Sequence, residues 1–359
     1  MRHFTQPKAL AALALLPAAF AMALAACGAD PEPTATPVPR ATPTPPPTAT
    51  PIPPPPTATP TPRPTPTPEP QHPAGPALPA TVADVHGNEV VVDDISRIVV
   101  LNGDMTEVVF ALGLGDNVVA VDSSATYPSE VTELPQIGYQ RRLSAEGVLS
   151  MTPTLVLGNE NAGPPEVLEQ IRSTGVPVVI LESVTTLDGA PRKIRGVAQT
   201  LGIPDKGEEL AAQLESEIDE VEETAAKAKD RPTAVFLYMR GLDALFLIGQ
   251  DHLSHELFEA SGAVSGAVAA GVAEGYIPLT AESLAAADPD CIVVLTAGLQ
   301  SVGGRDGLMR LPGVGQTSAA QEGCILDFND QYFGGGGPRM GQVLRDLLAA
   351  FQPSLALAR

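Results

Sequence analysis

Two stretches of the chain repeat one another, and this repeat constrains the fold more than any other feature. Residues 143–157 read LSAEGVLSMTPTLVL and residues 279–293 read LTAESLAAADPDCIV. At a fixed offset, Leu143 and Leu279, Ala145 and Ala281, Glu146 and Glu282, and Pro153 and Pro289 are identical. Ser144 and Thr280 both supply a hydroxyl of the kind that caps a helix N-terminus. One residue off that register, Gly138-Tyr139 echoes Gly275-Tyr276. Each half therefore holds a tyrosine, a short loop, a capped helix, a proline and a core strand. Such a chain is expected to build two similar lobes.

The flanking sequence supports an α/β class. Residues 80–92 alternate around the turn signal His86-Gly87-Asn88 and read as a hairpin. Short apolar runs at 97–101, 118–121, 155–157 and 176–181 read as strands, with helices expected at 104–112 and 165–173. Asp104 is expected to cap the first helix, Glu107 to complete its capping box and Gly113 to stop it. The same alternation restarts late in the chain. Strands are expected at 234–238, 245–248, 291–295 and 324–328, and a helix at 340–351. Near-continuous apolar strands alternating with helices imply parallel sheets covered on both faces.

Residues 188–230 differ. Helices at 190–201 and 206–229 are broken by Gly202-Ile203-Pro204, and the second carries Leu210, Leu214, Ile218 and Val221 at helical spacing. At 1.5 Å per residue it would span about 36 Å. Two lobes joined by one long helix leave a cleft between them. Ligand sites of open α/β lobes sit at the carboxyl ends of the strands.

The N-terminus reads as an address. Arg2, His3 and Lys8 precede an apolar run to residue 26, the layout of a secretory leader. The run ends Leu24-Ala25-Ala26-Cys27, which resembles a bacterial lipobox and implies cleavage before Cys27 and lipidation of its thiol. An uncleaved signal anchor is the alternative. Of 38 prolines, 22 lie between residues 31 and 80. A tract this rich in proline cannot bury a core; it favours polyproline II and reads as a spacer, not a docking ligand. His72 lies within it. The expected organisation is a leader over 1–26, a Pro/Thr-rich linker over 27–78, an N-terminal lobe over 79–187, bridging helices over 188–230 and a C-terminal lobe over 231–359. Residues 81–359 carry 17 basic and 39 acidic side chains. That field excludes nucleic acid and anionic lipid as general partners. Trp is absent, which argues against a sugar-stacking platform.

These features together resemble the substrate-binding lipoproteins of ABC importers whose lobes are bridged by a rigid helix, the class III type of periplasmic binding protein. That family carries siderophores, cobalamin and haem. The stretches 97–157 and 274–314 are closely similar to the haem-binding members. The resemblance implies a monomeric carrier, not an enzyme, held outside the cytoplasmic membrane by a lipid on Cys27, with haem as ligand and an ABC permease and its ATPase as partners. It implies that Tyr139 supplies an axial iron ligand and that Arg141 meets a haem propionate. It makes Tyr238 the candidate second ligand, and implies that Glu146 and Glu282 dock onto basic residues of the permease.

The chemistry of these residues suits that role. Phenolate oxygen is a hard donor for ferric iron. Free tyrosine loses its proton only near pH 10, and a ferric ion or a neighbouring guanidinium favours the anion. Tyr-x-Arg occurs twice, as Tyr139-Gln140-Arg141 and Tyr238-Met239-Arg240, with Arg142 adjacent to the first. Arg141, Arg142 and Arg240 are thus the candidate propionate partners, and Tyr276 is expected to line the cleft. A packed aromatic is the plain alternative for each tyrosine. Glu146 and Glu282 follow their hydroxyl caps by two residues where a capping box needs three.

Other candidates are weaker. Arg305 and Arg339 read as solvated loop charges, with a place facing the cleft as the alternative, and Gly334–Gly337 as a flexible loop near the cleft. His252 and His255 share a helix face, in surface or capping roles or, in a rival reading, as ligands of an exported metallohydrolase. Cys291 and Cys324 each begin an apolar strand and read as buried thiols, with a disulfide open to them if the strands are neighbours. Two further rivals are the same fold binding a siderophore or cobalamin, and a haem sensor or store.

Overall fold

The structure, a computed structural model, describes residues 75–356. The leader over 1–26, Cys27 with its lipidation, His72 and most of the 27–78 linker lie outside the described residues.

The chain opens with an antiparallel hairpin of β1 (Ala80–Ala83) and β2 (Glu89–Val92). Asp84 ties its turn by accepting the His86 and Asn88 backbone N–H groups. A four-stranded sheet follows, built from β3 (Ile98–Val100), α1 (Gly103–Ala111), β4 (Val118–Val121), α2 (Ala145–Leu149), β5 (Leu155–Asn159), α3 (Pro165–Arg172) and β6 (Val178–Leu181). Its order is β4-β3-β5-β6 and every pairing is parallel. All residues of β3 and β5 are buried, which is why they read as unbroken apolar runs.

Two helices then pack along each other: α4 (Gly189–Thr200) and α5 (Pro204–Ala225). Pro204 is the first residue of α5, where its missing N–H costs nothing, so the break falls between the helices as the sequence suggests. Gly207 is required at their crossing, because a Cβ there would sit 2.2 Å from that of Ala198. Arg195 of α4 clamps Glu208 and Glu215 of α5.

The second sheet is assembled from β7 (Thr233–Met239), β8 (Leu245–Ile248), α6 (Leu253–Ala260), β9 (Val264–Ser265), α7 (Gly266–Ala269), β10 (Tyr276–Pro278), α8 (Ala281–Ala287), β11 (Cys291–Leu295), α9 (Thr296–Ser301), α10 (Gly304–Leu308), α11 (Ser318–Glu322), β12 (Ile325–Phe328) and α12 (Asp330–Gly334). Helix α13 (Met340–Phe351) returns against α5, where Arg345 pairs with Glu217 and Glu220. The strand order is β10-β8-β7-β11-β12, with β9 also pairing β7. This sheet is mixed, not parallel throughout: β8 and β10 run antiparallel. The link between β7 and β8 is too short for a parallel crossover, which needs a dozen residues or more.

The repeat seen in the sequence is structural. Ser144 accepts the Gly147 N–H at the start of α2, and Thr280 accepts the Ser283 N–H at the start of α8. Both helices lead into an inner strand, β5 or β11. Thr152 and Asp288 occupy equivalent positions before the two prolines, and both have positive φ, at 48° and 37°.

Three further expectations need correction. Helix α1 begins at Gly103 with Asn102 in the cap position and no side-chain cap bond, so Asp104 and Glu107 do not form a capping box. Both acids are instead held by cations from other elements. Cys291 and Cys324 are not free thiols but a disulfide, formed where β11 and β12 lie side by side. The glycine run is not a loose loop. Gly335 gives its carbonyl to Lys193, and side chains on Gly336 or Gly337 would meet Val184 or Glu107.

Candidate functional site

The carboxyl ends of the two sheets meet at one cleft of about 610 Å³. From the first sheet come Gly103 and Asp104, just beyond β3, and Asn159 and Asn161 at the end of β5. Strand order reverses between β3 and β5, the position where open α/β sheets bind ligands. From the second sheet come Tyr238 and Arg240 at the end of β7, Thr296 and Ala297 beyond β11, and Asp330 and Gln331 beyond β12.

Tyr139 reaches the cleft from the long connection between β4 and α2. This segment runs alongside β4 in the same direction: Val121 N–H donates to Pro135, Ile137 N–H to Val121, and Ser123 N–H to Gly138. Ile137 is buried and anchors it, and Gly138 (φ 91°) turns the chain so that Tyr139 stands at the rim, 46% exposed. Tyr238 is half-buried on β7, with the Arg240 guanidinium 4.7 Å from its ring centre.

Thus Tyr139, Tyr238 and Arg240 line one cleft, contributed by two different lobes. Arg141 donates to Asn161, a lining residue, at 2.7 Å, but does not itself line the cleft. Neither does the exposed Arg142. Tyr276 is also absent from the lining: it sits on the edge strand β10, 62% exposed, against the Phe246 ring. Glu146 and Glu282 are exposed in the first turns of α2 and α8, and neither serves as a capping residue.

The floor of the cleft is polar and already paired. Asn102 donates to Asn159 and Gln140, and Asn159 N–H donates back to Asn102. Asp104 binds the buried Lys193 of α4 at 2.8 Å, and that ammonium also donates to Gly335 across the two lobes. Asp122 lies beneath, fully buried. Burial pushes its carboxyl up to about 6, although Ser124 donates both N–H and O–H to it.

Sequence reasoning missed a second set of residues that fixes the cleft. Gln331 accepts from the Thr126 N–H and hydroxyl and donates to Gly103, so the second lobe grips the first. Next to it Arg339 makes a two-pronged pair with Glu107, at 2.8 and 2.7 Å, over the Tyr127 ring at 3.5 Å. Arg339 is therefore no solvated loop charge. Arg305 also differs from expectation, donating to the Ile325 carbonyl.

His252 caps α6, accepting the Ser254 N–H through Nδ1, and burial lowers its proton affinity. Among the described residues no group of three His, Cys, Asp or Glu side chains is placed to hold a metal ion.

A two-lobed α/β receptor with its cleft at the carboxyl ends of both sheets defines a solute-binding protein. The chain belongs to the periplasmic binding protein family, whose model matches residues 98–332. It is similar to the periplasmic heme-binding protein RhuT from Roseiflexus sp. RS-1, at 49% identity and TM-score 0.70, over 73% of this chain and 100% of that one. The ABC transporter substrate-binding lipoprotein YvrC of Bacillus subtilis is 26% identical over 77% of this chain and 86% of its own length. A vitamin B12-binding protein of Pectobacterium carotovorum is 24% identical over 73% and 92%. Family membership makes this a binding protein and not an enzyme, extracytoplasmic, and working with an ABC permease and its ATPase.

Proposed function

We propose that the protein captures ferric haem in the interlobe cleft and delivers it to its permease. The observation that carries this reading is that Tyr139 and Tyr238, from separate lobes, line one cleft with Arg240 stacked on the second. Phenolate donors suit ferric iron. In this reading Tyr139 and Tyr238 are the iron donors and Arg240 meets a propionate, with Arg141 able to reach one from the rim. The likeness to RhuT over that chain's full length supports haem as cargo. Exposure of Glu146 and Glu282 on equivalent helices supports their use as permease contacts. A lipid on Cys27 and the Pro/Thr-rich linker over 27–78 would tether the body, with the two lobes at 79–187 and 231–359 joined through 188–230.

Haemin titration of the purified protein, followed by visible absorption, tests the assignment. The expected result is a saturable ferric tyrosinate spectrum that is lost in Tyr139→Ala and altered in Tyr238→Ala. A featureless titration refutes it. The likeness to a vitamin B12-binding protein favours cobalamin as the second reading, so a cyanocobalamin titration forms the other arm.

A further inference from the structure

Arg240, the one arginine among the residues lining the cleft, is already engaged by an internal carboxylate. Its Nη2 donates to Asp330 Oδ1 at 2.7 Å, and its Nη1 donates to the Met239 carbonyl at 2.9 Å. Asp330 also lines the cleft. It is held there independently of Arg240. Its other oxygen accepts the Ala297 N–H at 3.1 Å, and the adjacent Asn329 caps α12 by accepting from Gln331 and Tyr332. Asp104, the other lining carboxylate, is neutralised by Lys193 and is not in contact with Arg240.

We infer that Asp330 is an internal competitor for the ligand carboxylate, and that it limits affinity and speeds release. This rests on the reading of the cleft as a haem site. A propionate approaching Arg240 meets a guanidinium whose Nη2 is occupied by a carboxylate. A guanidinium carries five N–H groups, so a propionate can pair with Arg240 alongside Asp330, and it then shares the charge with a second carboxylate. Because the Ala297 N–H holds the other oxygen of Asp330, that carboxylate stays beside the incoming one. When the ligand leaves, Asp330 keeps its partner without a conformational change. The Arg240–Asp330 pair is partly solvent-exposed, 40% and 33% for the two side chains. Such pairs are weak, so the competitor lowers the ligand's hold on Arg240 without abolishing it.

Asp330→Asn keeps an acceptor for the Ala297 N–H and removes the charge. Haemin should bind this variant about fivefold tighter, the ceiling for an exposed ion pair, with the change in the dissociation rate. Haemin dimethyl ester, which has no carboxylates, should bind both proteins equally. Asp327→Asn removes the same charge nearby, at a residue that contacts Thr296 and does not line the cleft. It should leave both affinities unchanged. Asp330→Glu should restore the wild-type preference. Weaker haemin binding by Asp330→Asn would make Asp330 a positioning residue for Arg240 and overturn the inference. So would equal tightening for haemin and its ester. If Asp330→Asn does not fold, the same comparison is made with Asp330→Ser, under the same criteria. Wild-type protein that binds neither porphyrin refutes the haem reading itself. Wild-type binding with no tightening in the variant refutes the competitor alone.

Discussion

Replacing Glu107 with alanine strips the carboxylate from the pair that joins the two lobes. Glu107 and Arg339 are 5% and 18% exposed, and both prongs of the pair are short. Removal leaves the Arg339 guanidinium between the Tyr127 and Tyr332 rings with its charge mostly out of water. Breaking a buried pair from one side costs about 3–5 kcal/mol. Unfolding entropy of about 2.1 cal/mol/K per residue over about 280 residues gives roughly 0.6 kcal/mol/K. The melting temperature should therefore fall by about 5–8 °C, read by circular dichroism or calorimetry. Glu107→Leu combined with Arg339→Met removes both charges and replaces them with apolar volume. It should recover at least half of the loss, because most of the cost is the stranded charge. A fall below about 2 °C in the single variant, about 1 kcal/mol on this scale, would show that the pair does not hold the lobes. Additive losses in the double variant would show that the two side chains act independently.

Asp122 carries a pH signature opposite in sign to that of a salt-bridged carboxylate. Its folded-state proton affinity is raised to about 6 from the ordinary 3.8. The folded state therefore binds the extra proton, and this group's contribution to stability falls as pH rises from about 4 through 6, by roughly 2–3 kcal/mol. The stability difference between wild type and Asp122→Asn should shift in the variant's favour between pH 4.5 and 7.5; a flat difference would refute the assignment. The Cys291–Cys324 bond spans 33 residues of sequence, and a loop of that size constrains the unfolded chain by about 3–4 kcal/mol. Reduction with dithiothreitol, verified by thiol counting, should lower the melting temperature by about 6 °C; no change would contradict this. Thr152 is exposed with φ of 48°, so Thr152→Gly should stabilise by about 0.5–1 kcal/mol net of the added chain entropy. A loss in urea unfolding would show that the left-handed backbone is not strained there.

What could be read from the sequence was what local periodicity encodes. The strands at 118–121, 245–248 and 291–295 and the helix at 340–351 fall where the apolar runs and caps put them. The repeat pointed to two matching helix–strand units; outside the repeat's own pairing, Tyr139 and Tyr238 line one cleft. Side-chain partners far apart in sequence left no local signal. Glu107 fits a capping box by spacing, yet its partner Arg339 arrives 232 residues later. Asp104 waits for Lys193, 89 residues away, and Gln331 reaches Thr126 across 205. Tyr276 matches Tyr139 in the repeat, but β10 is an antiparallel edge strand with no counterpart in the first sheet, so equivalent letters end in different places. The antiparallel turn into β8 departs from the parallel sheet expected: Gly241, with φ of 67°, sits in a link too short for a crossover.

The contacts of Gln331, Arg339 and Lys193 bear on how a loaded carrier announces itself. If the proposed docking role of Glu146 and Glu282 holds, lobes stapled by these contacts would present both at one spacing with or without cargo, and an empty molecule would compete with a full one for the same landing place on the importer. Uptake should pass through a maximum as the carrier outnumbers its cargo, because surplus empty molecules block the queue. Such a system needs discrimination elsewhere, in a permease that senses the cargo directly or in a docking step brief enough that empty visits are cheap.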